Sequence, residues 1–400
     1  MLSFDEARHR LLSGVVRLSA ERVPLAEAAR RVLAQDLVAR DPLPAFDHSA
    51  MDGYALDAGG LEGSPPWRLV VAGESSAGAD PPPMAPGTAC RIFTGARMPA
   101  RADAVVMQED VRREGSIVCI DVRPGKGQHV RRRGEDLAAG ALALASGSRL
   151  SPGGLALAAM LDCPELLVTR RPRVTILCTG NELRSPGDRA SDASIPESNS
   201  APLAALARQA GALVRTAAIA RDDRDQVTDA IAAALEGTDV LLTVGGVSVG
   251  DHDVVRPALE QAGVVLDFWK VAIKPGKPLT VGATSSARVL GLPGNPASAL
   301  VTFAMFGAPL LRALQGDARP HALRLPVQLA APRKRSPERL EFVRASLEVE
   351  AGVLWARVHD NQSSGAATNL ASSDGLALVS AGPGVADVGA VVDFVRWSDV

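Results

Sequence analysis

The feature that most constrains this chain is a regular alternation of apolar β-prone runs and amphipathic helical runs between Arg173 and Leu311. Val174–Cys178, Leu213–Ile219, Val240–Val244 and Val264–Lys270 are expected strands, followed by shorter strand runs at Thr280-Val281 and Val289–Leu292. Ala201–Ala210, Asp225–Leu235, Val254–Gln261 and Ala297–Leu311 are expected helices. Strands alternating with helices of this length imply βαβ crossovers, hence a mainly parallel, doubly wound sheet covered on both faces. Ligands of such sheets sit beyond the carboxyl ends of the strands. Polar and glycine-rich segments fall there: Thr179-Gly180-Asn181-Glu182, Arg221-Asp222-Asp223-Arg224, the loop from Gly245 to Asp253, Lys270 to Lys277, and Pro293-Gly294-Asn295-Pro296.

The rest of the chain is organised around that unit, giving an α/β multidomain protein. Ser3-Phe4-Asp5-Glu6 is a capping-box pattern opening a helix, and a second helical run is expected over Leu25–Leu33. Residues 1–45, with 140–170 where Ser151-Pro152 opens a further helix, read as an N-terminal helical and linker part. Residues 46–139 are rich in Gly and Pro with short β-prone runs and read as a β-rich insertion. The α/β unit takes 171–316, and the short runs of 317–400 suggest a small C-terminal β domain.

Composition excludes several function classes. Net charge is −2 and aromatics are 3%, so neither a non-specific nucleic-acid surface nor a base-stacking platform is indicated. The four cysteines form no C-x-x-C and no Cys/His cluster, which fits a reducing compartment. Residues 1–20 lack an apolar signal core. The uncharged stretch Val289–Leu311 is broken by Pro293-Gly294-Asn295-Pro296, and its helical part falls short of a bilayer span, so it is expected to be a core helix of a cytoplasmic protein with no membrane partner.

Three constellations carry chemistry. Only five lysines occur, and Lys270, Lys274 and Lys277 fall within eight residues after an expected strand; against the alternative of a solvated loop, that bias points to phosphate binding by flexible point charges. Gly245, Gly246 and Gly250 form a strand-to-helix loop able to cradle an anion with backbone N–H groups. The same loop contains G-x-S-x-G around Ser248, the nucleophile-elbow pattern, but the later histidines (His252, His321, His359) do not complete a convincing hydrolase set. Glu182, Asp222, Asp223, Asp251 and Asp253 converge on the same sheet edge, where carboxylates beside lysines suit a Mg²⁺ that also meets ligand phosphates. For Asp223 helix capping is the favoured role; for Glu182 and Asp253 it is ligand work.

Nine segments, in order, resemble the molybdopterin molybdenumtransferase family of the MoeA type, which includes the E domain of gephyrin: FDHSAMDGYA (46–55), RIFTGARMP (91–99), DAVVMQED (103–110), VRRRGED (130–136), TGNEL (179–183), GGVSVGDHD (245–253), FWKVAIKPGKP (268–278), GLPGNPASA (291–299) and RLEFVRA (339–345), with an echo in QSSG (362–365). The resemblance implies that the central unit is a molybdopterin-binding domain, that the C-terminal domain is β-barrel-like, and that the protein is a homodimer. It implies that adenylylated molybdopterin and molybdate are converted to molybdenum cofactor and AMP, with Mg²⁺, and a possible contact with the molybdopterin adenylyltransferase. By similarity the functional residues are Asp52, Thr94, Arg131, Asp136, Glu182, Asp222, Asp253, Lys270, Lys274, Pro293, Pro296, Arg344 and Ser364. Two positions depart from the family pattern: Asn181 stands where T-G-D-E has its first acid, and Glu197 where D-S-N has aspartate. The related adenylyltransferases have a G-G-T-G loop where this chain has GGVSVG, and a non-catalytic scaffold on the same fold is the remaining alternative.

Overall fold

The structure is a computed structural model and describes residues 1–189, 191–246 and 254–400. Its central sheet runs in the order Leu213–Thr216, Arg173–Cys178, Val240–Val244, Arg288–Leu292, Pro278–Ala283 and Val265–Lys270. The first four strands are parallel, with Val174 opposite both Val214 and Val240, and Val240 opposite Arg288. Pro278–Ala283 runs against its neighbours on both sides, so Val265–Lys270 points the same way as the first four. The sheet is mainly parallel as expected, and the short 271–277 connection, which cannot make a crossover, produces its one reversed strand.

The parallel strands are buried on both faces, as their near-continuous apolar runs require. Val174, Ile176, Val240 and Leu242 pack with Leu203 and Ala207 of helix Ser200–Gln209. Leu177, Leu241 and Val289 face Val227 and Ile231 of helix Arg224–Leu235 and Leu259 of helix Val255–Gln261. The helix over 296–314 is the one described segment long and apolar enough to cross a membrane, yet 89% of it is buried within the fold. It contains a π-helical turn, Phe303–Gly307, just before Pro309, whose missing N–H cannot support a regular α-turn there.

The capping box forms as expected: Ser3 accepts from the Glu6 amide and the Glu6 side chain accepts from the Ser3 amide at 2.8 Å. The helix it opens, Phe4–Leu12, packs on the central core, with Phe4 edge-on to Phe306 and to Phe342. The helical run expected over Leu25–Leu33 is a correction. Only Leu25–Glu27 forms a 3-10 turn, because Arg30 takes a left-handed φ of 61° and the chain then bridges to Arg149 and Val168. The N-terminal part is accordingly built on strand pairs, Ala20–Pro24 with Glu165–Thr169 and Leu37–Val38 with Leu142–Leu144, beside one helix at Pro152–Met160.

A six-stranded sheet occupies the β-rich segment, in the order Ala104–Met107, Gly53–Leu56, Thr88–Ile92, Trp67–Ser75, Ile117–Ile120, Val111–Glu114. At the C-terminus Leu340–Glu350, Val353–Val358, Leu325–Leu329, Val391–Arg396 and Gly375–Val379 close into a ring, since the last strand pairs back onto the first. Closure leaves open one side of the start of Leu340–Glu350. A short strand, Ile273–Lys274, adds in parallel to Leu340 and Glu341 and ties the lysine-bearing segment to the barrel.

Candidate functional site

The strand order reverses between Arg173–Cys178 and Val240–Val244, since the chain leaves the first toward Leu213–Thr216 and returns on its other side. That switch point opens into a cleft of about 610 Å³ at the carboxyl ends of the strands. Its walls include Glu182 and Asp222, Gly245 and Gly246, and Pro293 and Pro296. Gly365, beside Ser364, also reaches it, and the Ser364 carbonyl accepts from the Ala297 amide at 3.1 Å, which joins the QSSG loop to the PGNP loop.

The cleft's carboxylates are placed by neighbouring backbone and side chains. Glu182 stands over Gly180, where a Cβ would lie 2.7 Å from a Glu182 carboxylate oxygen, so glycine leaves that carboxylate its place. Asn181 and Asp222 clasp reciprocally: the Asn181 amide donates to Asp222 Oδ2 at 3.1 Å and the Asp222 amide to Asn181 Oδ1 at 3.0 Å. A carboxylate at 181 could also accept from that amide, but would place a second charge beside Asp222. Asp223 caps helix Arg224–Leu235 by accepting from Gln226, so of the adjacent pair Asp222 is the one that lines the cleft.

The floor depends on glycine. Gly245 has φ 92° and a Cβ there would stand 2.5 Å from the Thr179 carbonyl oxygen. Gly245→Ala is expected to cost about 1–3 kcal/mol of stability, visible as a lower denaturant midpoint; an unchanged midpoint would show that the loop accommodates the methyl. Ser248, Gly250 and Asp253 lie outside the described residues.

The substituted Glu197 remains functional as a structural acid. It is buried, accepts from the Asn199 amide at 2.5 Å and the Ser200 amide at 3.0 Å, and also takes the Ser200 hydroxyl and the Cys178 thiol. Burial pushes its carboxyl up, but these four donors outweigh it and hold the pKa below its usual 4.5. Burial and the Glu197 charge raise the Cys178 thiol. A depressed carboxyl contributes stability that is full above its unfolded value and lost as pH falls through its folded value. Glu197→Gln is therefore expected to flatten the acid limb of stability below about pH 4.5, measured by unfolding against pH; an unaltered limb would remove Glu197 from it.

A second cleft, about 590 Å³, lies in the N-terminal part and shares no lining residue with the first. Thr94, Arg131 and Asp136 line it, with His48 and Glu135. Asp52 is fixed beside it by the Thr94 amide at 2.8 Å and hydroxyl at 2.7 Å, and these two bonds lower its pKa.

The remaining candidates lie elsewhere. Lys270, Lys274 and Lys277 line neither cleft. Lys270 ends its strand opposite Pro278, a cleft residue, whereas Lys274 Nζ donates to Glu341 Oε1 at 2.7 Å. Glu341 is 2% exposed and also faces Arg333 at 3.4 Å. Arg344 is fully buried, and burial lowers its pKa; it donates to the carbonyls of Asn361 and Ser363 and so supports the QSSG loop from beneath.

Sequence reasoning missed Thr179, Asn199 and Glu341. The signal for Asn199 was its place just ahead of the helix that follows a buried strand; Glu341 had none, because its partner lies 67 residues earlier.

For a divalent cation the described residues offer two carboxylates on one cleft, Glu182 and Asp222, and no cluster of three or more ligating side chains. The Glu182 carboxylate has no hydrogen-bond partner among the described residues, so it is available to a ligand. That set fits Mg²⁺, which takes one or two carboxylates and completes its shell with phosphate oxygens and water.

Three family models match the chain: the MoeA N-terminal region (domains I and II) over residues 2–161, a probable molybdopterin-binding domain over 175–313, and the MoeA C-terminal region (domain IV) over 326–397. The chain is 41% identical over 345 residues to molybdopterin molybdenumtransferase 2 of Mycobacterium tuberculosis, covering 83% of this chain and 84% of that one. It is 40% identical over 395 residues to the molybdopterin molybdenumtransferase of Synechococcus elongatus, covering 96% of each. Its fold is similar to that of the crystallised molybdopterin biosynthesis moeA protein of Pyrococcus horikoshii, with a TM-score of 0.83, 26% identity, and coverage of 99% and 100%.

Proposed function

The chain belongs to the MoeA family, and from that premise we propose that it inserts molybdenum from molybdate into adenylylated molybdopterin, releasing molybdenum cofactor and AMP. The observation that carries the proposal is the switch-point cleft, where two carboxylates face a glycine floor and the Pro293–Pro296 turn at the end of a parallel sheet. Glu182 and Asp222, with Asp253, would hold Mg²⁺, which when bound would draw charge from the phosphoanhydride. The Gly245-Gly246 floor would supply backbone donors, and Lys270, Lys274, Lys277 and Arg131 positive field, for a substrate carrying several negative charges. Asn181 and the Asp223 cap hold the Asp222 backbone, so its carboxylate is positioned before substrate arrives. No protein nucleophile is required, and Ser248→Ala is expected to cost less than about tenfold in turnover, where loss of a nucleophile would cost several orders of magnitude.

The working form is a cytoplasmic homodimer in which the second cleft of one subunit, bearing Asp52, Thr94, Arg131 and Asp136, faces the first cleft of the other. Support comes from the division of the family's motif residues between two clefts with no shared wall. Light scattering is expected to give twice the 41.5 kDa chain mass; a fully active monomer would contradict the arrangement. A transient contact with the adenylyltransferase would pass the activated pterin directly. The function itself is tested by reconstitution: protein, adenylylated molybdopterin, Mg²⁺ and molybdate are expected to activate a molybdenum-free apo-molybdoenzyme, and no activation above the protein-free control would refute it.

A further inference from the structure

Asparagine at a helix N-cap ordinarily spends its side chain on the first turn's amides. Asn199, the N-cap of Ser200–Gln209, does not: Pro202, three residues on, has no N–H to offer, and the Asn199 and Ser200 amides go to Glu197. The freed carboxamide turns to the cleft, where Nδ2 donates to the Gly294 carbonyl at 2.8 Å. A carbonyl can only accept, so this bond fixes which end is nitrogen and leaves Oδ1 as the open atom. Asn199 is 6% exposed and its Oδ1 has no partner among the described residues. Thr179, 3% exposed and in the same cleft, has an Oγ1 that is likewise unpartnered among the described residues. The two flank one glycine floor: a Cβ on Gly246 would lie 3.0 Å from Thr179 Oγ1, and one on Gly294 would lie 3.5 Å from Gly245 Cα.

Buried polar atoms in native proteins are nearly always paired, so two orphans on residues that line one cleft point to a ligand that supplies the partners. Asn199 Oδ1 needs a donor. Ionised phosphates and molybdate have none, so the anionic parts of the substrate cannot satisfy it. We propose that Asn199 and Thr179 recognise the 2-amino-4-oxo edge of the pterin ring, Asn199 Oδ1 accepting from its N–H groups and the Thr179 hydroxyl donating to its carbonyl. The inference rests on the reading that this cleft takes molybdopterin.

The test uses the whole protein and three probes: 6-hydroxymethylpterin phosphate, its lumazine counterpart with a 2-oxo group replacing the 2-amino group, and AMP. Ring fluorescence reports binding of the first two, and calorimetry that of AMP. Wild-type protein is expected to bind the pterin about ten- to a hundredfold more tightly than the lumazine, which turns an acceptor toward Asn199 Oδ1. Asn199→Leu is expected to abolish that preference and leave AMP affinity unchanged. Thr179→Val, close to isosteric, is expected to weaken both rings equally, because both keep the 4-oxo group, and it stands as the independent test should the Asn199 variant not fold. Equal binding of the two rings by wild-type protein, or an Asn199→Leu loss confined to AMP, would overturn the assignment. Failure of wild-type protein to bind either ring would overturn it together with the reading of the cleft, whereas ring-blind binding alongside molybdate-dependent AMP release would overturn the assignment alone.

Discussion

Replacing Glu182 by alanine is expected to lower molybdate-dependent AMP release by about 10²–10³-fold while changing unfolding free energy by less than about 0.5 kcal/mol. The two expectations have different sources. Glu182 lines the cleft, and its carboxylate makes no hydrogen bond to the described residues, so its removal opens no core cavity and strands no buried partner. The charge, in contrast, is half of the carboxylate pair that lines the cleft. Glu182→Gln, which keeps the shape and loses the charge, should fall as far as alanine. Activity within threefold of wild type in both variants would return Glu182 to an ordinary exposed side chain, and a large loss of stability would place it in the scaffold.

The second large effect concerns Lys274, where structure and chemistry make separate claims on one side chain. Its ammonium pairs with Glu341, itself 3% exposed, so Lys274→Ala leaves a buried carboxylate with only Arg333, at 3.4 Å. Breaking a buried pair by removing one partner is destabilising, and because Lys274 is half exposed we expect about 1–3 kcal/mol here. The same variant should stop metal insertion if the lysine also meets the substrate's phosphates. The double variant Lys274→Ala/Glu341→Gln separates the two claims. Neutralising the stranded carboxylate should restore most of the stability, measured by denaturant unfolding, while activity stays below about one hundredth of wild type. Recovery of activity along with stability would make Lys274 a strut between the α/β unit and the barrel and nothing more.

The extent to which the sequence disclosed this molecule follows the range of the forces involved. The α/β unit was legible because its signals are local: apolar runs such as Val240–Val244, helix stops at Gly211 and Gly237, and the Asp223 cap each act within a few residues. The cleft was legible for the same reason, since a doubly wound sheet dictates that loops after its strands share one edge. Leu25–Leu33 misled because its apolar spacing suits a helix while the left-handed Arg30 and bridges to Arg149 and Val168, more than a hundred residues away, decide otherwise. Periodicity is blind to strand direction, so the reversal of Pro278–Ala283 shows only in the short connection that precedes it. The pairing of Lys274 with Glu341 and the bond from Asn199 to the Gly294 carbonyl, 95 residues on, are tertiary facts. A lysine cluster suggests phosphate whether or not a buried carboxylate already holds one of its members.

The central claim is that anhydride cleavage and metal insertion are one coupled event at the switch-point cleft. It is tested most directly by following AMP from adenylylated molybdopterin with purified protein and Mg²⁺, with and without molybdate. The account predicts release that depends on molybdate and approaches one AMP per pterin. Equal release in both arms would describe a simple phosphoanhydride hydrolase, and no release in either, with tight pterin binding, would describe a scaffold; each would contradict the account.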